Sequence, residues 1–335
     1  MLFISAQVFP QINKSAGKYV LVIHGGAGTI LKSQMTPEKE EAYKAALTLA
    51  LRTGYNKLMA GESSISAVEA AVIVMENSPL FNAGKGAVFT NEGKNELDAA
   101  IMDGSNLMAG SVAGVTTIKN PISAARAIME KSEHVMMVGS GAEKFALEAG
   151  LEIVDPKYFW TKERWDALQQ IKKQDSIKKI NNQTDKKSIK LGSENHDHKF
   201  GTVGAVALDN KGNLAAATST GGMTNKKYGR VGDAPLIGVG TYANKLVGIS
   251  CTGWGEYFIR SVVAHDVAAL MEYKNMTVEQ AATEVIMKKV PALGGDGGLI
   301  ALDKDGNVAM PFNTAGMYRG TITKQGKIEV LIYKD

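Results

Sequence analysis

Cysteine is almost missing from this chain: Cys251 is the only one in 335 residues. No intrachain disulfide and no cysteine-built zinc site can form, so packing must hold the fold, and nothing demands an oxidising compartment. Histidine is scarce too, at five residues, and the pair His196 and His198 has no third ligand near it in sequence. No apolar run reaches the length of a membrane span, which predicts no membrane partner. Nor is there a broad excess of one charge. The formal net charge is +4, and the stretch from Lys172 to Phe200 alone holds eight lysines against Asp175, Asp185, Glu194 and Asp197, a difference that equals the whole excess. The remainder is near neutral, which excludes a clustered basic face for nucleic acid. The start, MLFISAQVFPQINK, has a short apolar patch ending at Ser5-Ala6-Gln7 with no basic residue before it. It is too short for an intact signal peptide, so the expected location is cytoplasmic, or periplasmic if the start is a clipped signal.

What is abundant is glycine, with 36 residues, in a chain that is 44% hydrophobic and 21% charged. Length and composition suffice for a sizeable core. Tyr19 to Ile23 reads as a buried strand followed by a turn at His24-Gly25-Gly26-Ala27-Gly28. Pro37 to Met59 reads as a helix capped by Thr36, with Glu38 and Glu40 in its first turn, and Ile65 to Glu76 as a second, capped by Ser64. Leu80 to Phe89 is a turn feeding a strand, and Glu96 to Gly104 and Ala109 to Ile118 read as paired strands. Ser123 to Lys131 and Gly141 to Gly150 read as helices. The polar residues from about 172 to 200 read as a flexible linker. Beyond it, GAVALDNKGNLAAATSTGGM (204–223) echoes GLIALDKDGNVAMPFNTAGM (298–317), ten of twenty positions being identical. Each copy reads as a strand, a D-x-x-G-N turn and a return strand. Strands fill 237–252, and helices fill Glu256 to Met271 and Val278 to Lys289. Strands then helices then strands in both halves predict the α+β class: two mainly antiparallel sheets between helical layers.

The junction Gly201-Thr202-Val203-Gly204-Ala205-Val206-Ala207-Leu208-Asp209 carries the chemistry, since it sets a threonine at the start of an apolar strand directly after the polar stretch. β-branched threonine suits any strand. At such a boundary, however, one backbone cleavage before Thr202 would join a hydroxyl nucleophile and a free α-amine in one residue, and the amine can serve as base for the hydroxyl. Its reference pKa of about 7.7–8.0 lies near operating pH.

With HGGAG near the start, LFNAGKGAVFT, ELDAAIMDG, the GTVGAVALD junction, ATSTGGM, GRVGDAPLIG and SCTGWGE in order, the chain resembles the plant-type asparaginase and isoaspartyl peptidase family of N-terminal nucleophile hydrolases. The resemblance runs nearly end to end. It implies a four-layer αββα sandwich, and a precursor that cuts itself between Gly201 and Thr202 into an α subunit, 1–201, and a β subunit, 202–335, which together form one folded domain. It implies Thr202 as nucleophile, Thr220 as the hydroxyl that orients it, Thr252 and Gly253 as oxyanion donors, and Asn82 as support for the tetrahedral state. Arg230 and Asp233 match a clamp for the substrate's α-carboxylate and α-ammonium, with Thr252, Gly253 and Gly255 lining the same pocket. Main-chain carbonyls of Met75, Glu76, Ser78, Phe81, Ala83 and Lys85 match a loop that wraps a monovalent cation, Na+, and no organic cofactor is implied. The implied substrates are L-asparagine and β-aspartyl dipeptides, and the implied assembly is a dimer of αβ units.

Two departures stand out. Trp254 sets a large aromatic inside the oxyanion segment, and Gly201 stands where the glycosylasparaginase branch has aspartate, which turns the reading away from glycan-linked asparagine. A glycosylasparaginase-like amidase remains an alternative. So does a serine hydrolase, because Ala217-Thr218-Ser219-Thr220-Gly221 is a near miss to G-x-S-x-G with Asp233 and His265 following, although Gly221-Gly222-Met223 is a poor helix start for a nucleophile elbow. A non-catalytic relative is the third alternative.

Overall fold

The computed structural model describes residues 18–184 and 201–334. The start of the chain, most of the expected linker with His196 and His198, and Phe200 lie outside the described residues. Twelve strands are present among those described: β1 Val20–Gly28, β2 Leu97–Asp103, β3 Ala109–Val115, β4 Met136–Val138, β5 Thr202–Leu208, β6 Leu214–Thr220, β7 Thr241–Ala243, β8 Val247–Gly253, β9 Gly297–Asp303, β10 Val308–Ala309, β11 Gly316–Thr323 and β12 Ile328–Tyr333. Eight form one sheet in the order β12-β11-β1-β5-β6-β2-β3-β4 and four form another, β10-β9-β8-β7. Every pairing is antiparallel except β3 with β4. The α+β class expected from the sequence therefore holds.

Helices α1 Pro37–Met59, α2 Ser64–Glu76, α3 Pro121–Lys131 and α4 Gly139–Glu148 come from the first half. Their apolar sides, including Leu47, Leu51, Val68, Val72 and Ile128, pack with Leu21, Ile23, Val203, Ala205 and Ala217 of the large sheet. Fully burying each such aliphatic side chain stabilises by about 1.5–3 kcal/mol. α1 starts as the sequence predicts: Thr36 Oγ1 accepts from Lys39 N at 3.3 Å, and Pro37 takes the first position, where its missing N–H costs nothing. α2 is capped by Ser63, not Ser64. Ser64 is buried and its N–H donates to Asp209 Oδ2 at 3.2 Å, which leaves Ser63 outside to accept from Ser66 N.

A second core lies where the two sheets meet, joining Val20, Val22, Val206, Leu208, Ala216, Ile300, Leu302 and Met317. A third packs β8 and β9 against α6 Gly255–Ser261, α7 Val263–Lys274, α8 Val278–Glu284 and the short α9 Val290–Ala292, through Ile249, Cys251, Phe258, Val267, Val285 and Leu299. The inward and outward faces of β5 and β6 thus feed different cores, as the period of two requires.

Several sequence expectations change. HGGAG is not a turn after β1 but its continuation: β11 pairs with it along its length, with a bulge between His24 and Gly26. Leu80 to Phe89 forms no strand; it holds a 3-10 turn at Gly84–Gly86 and otherwise irregular backbone. Residues 172–184, read as the first part of the linker, are helical and belong to α5 Lys162–Thr184. The helix is anchored near its start, where Leu168 is buried, Trp165 meets Phe89 edge-on at 5.2 Å, and Arg164 donates to the carbonyls of Gly86 and Leu80. Its Lys- and Gln-rich continuation has adequate helix propensity once those contacts nucleate it. The internal echo is real as turn chemistry: Asp209 Oδ1 accepts from Lys211 N and Asn213 N, and Asp303 Oδ1 from Asp305 N and Asn307 N. The two copies lie in different sheets, and the second returns only through the two-residue β10.

Candidate active site

Thr202 opens β5, between β1 and β6. Register places it directly opposite Thr220, the last residue of β6, and Thr202 Oγ1 donates to Thr220 Oγ1 at 3.2 Å. Thr220 Oγ1 in turn accepts from Gly222 N at 3.0 Å, which fixes its lone pairs. Both threonines are buried. Gly201 is wedged between Gly26 and Asn82: a Cβ at Gly26, whose φ is +112°, would meet Gly201 Cα at 2.8 Å, and one at Gly201 would meet Asn82 Cβ at 3.1 Å. Asn82 Nδ2 donates to Gly222 O at 2.7 Å and its Oδ1 accepts from Val88 N at 2.9 Å. The amide thereby ties the loop after β6 to the irregular 80–89 segment. A cavity of about 160 Å³ opens beside this point, bounded by Gly26, Asn82, Gly201, Tyr43, Phe81 and Tyr318.

Thr252 and Gly253 end β8, the strand of the small sheet, and Thr252 Oγ1 accepts from Ala27 N of β1 at 3.3 Å. Gly255 follows at the start of α6 and is the wall against which the charged pair sits. A Cβ there would meet Arg230 Nη2 at 2.7 Å and Asp233 Oδ1 at 3.0 Å. Arg230 Nε and Nη2 each donate at 2.9 Å to the two carboxylate oxygens of Glu256. Burial pushes the Glu256 carboxyl up, but Arg230 and a hydrogen bond from the Trp254 side chain outweigh it and hold it low. Trp254 stacks edge-on with Tyr257 at 5.0 Å. Asp233 is buried, its Oδ2 has no hydrogen-bond partner among the described residues, and burial pushes its pKa up to about 7 despite the pull of Arg230. A buried carboxyl oxygen left unsatisfied beside a guanidinium is costly until a partner pairs with it. Of the site residues read from the sequence, Thr202, Thr220, Thr252 and Gly253 stand at the ends of β5, β6 and β8, Arg230 and Asp233 on the loop between β6 and β7, Gly255 at the start of α6, and Asn82 on the segment between α2 and β2.

Four buried polar groups escaped the sequence reading. Glu76, at the end of α2, accepts from Ser219 Oγ at 2.7 Å, Ile122 N at 3.0 Å and Asn120 Nδ2 at 3.0 Å, and burial pushes its pKa up to about 7. Asp98 lies directly across from Thr220 on β2, its pKa raised by burial. Lys226 is buried with its Nζ 3.2 Å from Glu96 O and 3.5 Å from Glu96 Oε2. His24 Nε2 lies 2.8 Å from Ser250 Oγ. ELDAAIMDG and HGGAG held two of these as motif letters, but nothing local named their partners. Glu256 was likewise quoted within SCTGWGE without a role. The serine-hydrolase alternative fails on geometry. Ser219 donates to Glu76, β6 runs into the Gly221-Gly222 loop, and His265 packs edge-on against Tyr242.

Because Glu76 and Asp233 keep protons in the folded chain up to about pH 7, while the unfolded chain releases them near 4.5 and 3.8, their contribution to stability is complete below those values and is lost as pH rises through about 7. The thermal midpoint is expected to fall from pH ~5 to pH ~8, and Glu76→Gln to flatten that fall. Equal slopes for the two proteins would refute the assignment to Glu76.

The segment from Met75 to Lys85 can be tested against a cation. It curls until Gly84 Cα packs on Glu76 O and Gly86 Cα on Phe81 O, so tightly that a Cβ at either glycine would overlap those carbonyls. Neutral carbonyl oxygens are the donor type that a hard monovalent ion takes. Among the described residues no cluster of three His, Cys, Asp or Glu side chains could hold a metal, and no helix is long and apolar enough to cross a membrane.

Residues 17–332 match the family described as asparaginase. The chain is 53% identical over 304 residues to the isoaspartyl peptidase of Escherichia coli K12, covering 90% of this chain and 92% of that one. It is 52% identical to the isoaspartyl peptidase of Salmonella typhimurium, covering 90% and 94%, and 43% identical to the plant-type L-asparaginase of Thermococcus kodakarensis, covering 89% and 94%.

Proposed function

We propose, from the premise that this chain belongs to the asparaginase family, that it is a self-cleaving threonine amidohydrolase acting on L-asparagine and β-aspartyl dipeptides. The single observation that carries the reading is Thr202 at the first position of a central strand, its hydroxyl 3.2 Å from that of Thr220 and its preceding carbonyl on Gly201. The three cores, one between helices and the large sheet, one between the sheets and one under α6–α9, support a four-layer αββα arrangement of the N-terminal nucleophile type.

In the uncut chain Thr202 nitrogen is an amide and cannot act as a base. Attack of Thr202 Oγ on the Gly201 carbonyl forms an ester, breaks the C–N bond and delivers a proton to the departing nitrogen. Water then hydrolyses the ester, leaving residues 1–201 and 202–335. The freed amine takes the proton of Oγ, which attacks the side-chain carbonyl of the substrate. Ammonia, or the amino acid of a dipeptide, departs with a proton, and water releases aspartate from the acyl-enzyme. Thr252 and Gly253 stand to donate to the oxyanion, and losing one such donor costs about 10²–10³ in kcat. Arg230 receives the α-carboxylate and the unsatisfied Asp233 oxygen the α-ammonium. A cation held by carbonyls of Met75, Glu76, Ser78, Phe81, Ala83 and Lys85 would supply charge that fixes the loop bearing Asn82. We read the working assembly as a dimer of αβ units in the cytoplasm. The decisive experiment is incubation of purified chain, followed by intact mass and by ammonia release from L-asparagine and aspartate release from a β-aspartyl dipeptide. Two fragments meeting at Gly201/Thr202 with both activities are expected. A permanently intact chain, or a cut chain inert toward both substrates, would overturn the reading.

A further inference from the structure

We propose that His24 and Ser250 are positioning residues, which hold the Gly201–Thr202 segment at a set distance from the Thr252 oxyanion segment through a buried polar seam between the two sheets. The inference rests on the activity proposed above. β1 and β8 belong to different sheets, yet two hydrogen bonds tie them in step: His24 Nε2 with Ser250 Oγ at 2.8 Å, and Ala27 N to Thr252 Oγ1 at 3.3 Å. Ser250 and Thr252 share a face of β8, two residues apart. His24 faces Gly204 across the β1–β5 pairing, two residues on from Thr202.

Gly204 explains how the ring reaches through. A Cβ there would overlap both Ser250 Oγ and His24 Nε2, so only glycine lets the imidazole and the hydroxyl meet beneath the nucleophile's strand. The seam continues inward. Ser250 Oγ lies 2.7 Å from Thr218 Oγ1, Thr241 Oγ1 donates to Thr218 Oγ1 at 2.6 Å, and Thr241 Oγ1 lies 3.0 Å from Ala234 O, the residue after Asp233. The same buried chain therefore touches β1, β8, β6, β7 and the loop that carries the clamp.

The imidazole does not act as a base. Burial lowers its pKa to about 3, with the Thr202 main chain pulling it partly back, so the ring is neutral wherever the fold operates. Nδ1 has no hydrogen-bond partner among the described residues, and in the Nε2–Ser250 Oγ bond either the ring or the hydroxyl can donate. A neutral, fully buried ring held to one hydroxyl sets geometry.

The test compares His24→Leu, Ser250→Ala and His24→Gln with the parent. Glutamine carries an N–H near the position of Nε2, and Ser250→Ala removes a single oxygen. Cleavage is followed by intact mass, and kcat and KM for asparagine are referred to the fraction of chains with a free Thr202. His24→Leu and Ser250→Ala are expected to slow cleavage and lower kcat roughly tenfold or more, with KM within about twofold, because misplacement of reacting groups acts on the barrier. His24→Gln is expected to recover most of both rates. Parent-like rates in Ser250→Ala, a loss confined to KM, or a glutamine variant as damaged as the leucine one would overturn the assignment. A parent that neither cuts itself nor hydrolyses asparagine would instead remove the activity beneath it, a separate and visible result.

Discussion

Thr202→Ala is expected to remain a single species of 35.7 kDa after any incubation and to show no measurable turnover. The substitution removes one hydroxyl and one methyl group from the start of β5, and both proposed reactions lose their nucleophile together. In enzymes whose catalytic groups act as a unit, removing the nucleophile costs on the order of 10⁶ in kcat. The fold should survive, since β5 keeps its partners β1 and β6 and its buried Val203, Ala205 and Ala207. Thr202→Ser, which keeps the hydroxyl, is expected to cut and to turn over more slowly. Intact mass and ammonia release check both variants. Cleavage at the same bond in the alanine variant would show that another group, or a contaminating protease, makes the cut, and would end the proposal for Thr202.

Arg230→Ala is expected to separate the two reactions. Self-cleavage acts on the Gly201 carbonyl and has no use for the clamp, so it should proceed. Hydrolysis of asparagine should fall roughly 30-fold to several thousand-fold in kcat/KM, the equivalent of about 2–5 kcal/mol for removing the partner of a substrate carboxylate that is desolvated on binding. Two consequences add to the loss of carboxylate binding: Glu256 loses both of its 2.9 Å bonds, and the buried Asp233 loses the positive charge that restrains its pKa. Arg230→Lys should restore little, because an ammonium cannot supply two parallel donors to Glu256 while facing a substrate carboxylate. A fully cut Arg230→Ala enzyme with parental kcat/KM would place the clamp elsewhere.

Seen from the sequence, the positions of the strand ends were open to inspection because they are local, while the roles proposed for Thr220, Thr252 and Gly253 came from the resemblance. Thr202 follows a polar stretch and begins an apolar one; Thr220, Thr252 and Gly253 close strands whose alternation is plain; Asp209 and Asp303 begin turns that their own side chains complete. The Thr36 cap and the Asp209 and Asp303 turns act over three or four residues and were legible there, whereas the α2 cap fell one residue earlier than read, on Ser63. What stayed hidden were single polar letters whose partners lie far along the chain. Glu76 accepts from Asn120 and Ser219, His24 meets Ser250 across 226 positions of chain, and Lys226 meets Glu96 across 130. A buried charge or imidazole is tolerable only with its partner, and the partner is supplied by sheet topology.

The same distinction governs the larger misreadings. HGGAG looks like a turn because glycine lacks strand propensity, yet β11 pairs with it and holds it extended. Residues 172–184 look like linker because they are polar, yet Trp165, Leu168 and Arg164 dock the start of α5 and Asp175 accepts from Asn225 at 3.0 Å. The sequence by itself determined the α+β class, because propensity, alternation and turn chemistry are short-range, and its resemblance to the family supplied the roles proposed for Thr202, Arg230 and Asp233. Only the tertiary structure decided which strand neighbours which, that Glu256 braces Arg230, that Asp233 keeps an unsatisfied oxygen, and that His24 reaches Ser250 through the space left by Gly204. Those follow from the burial of groups distant in the chain, whose protonation and hydrogen bonding exist only once the two sheets have closed on each other.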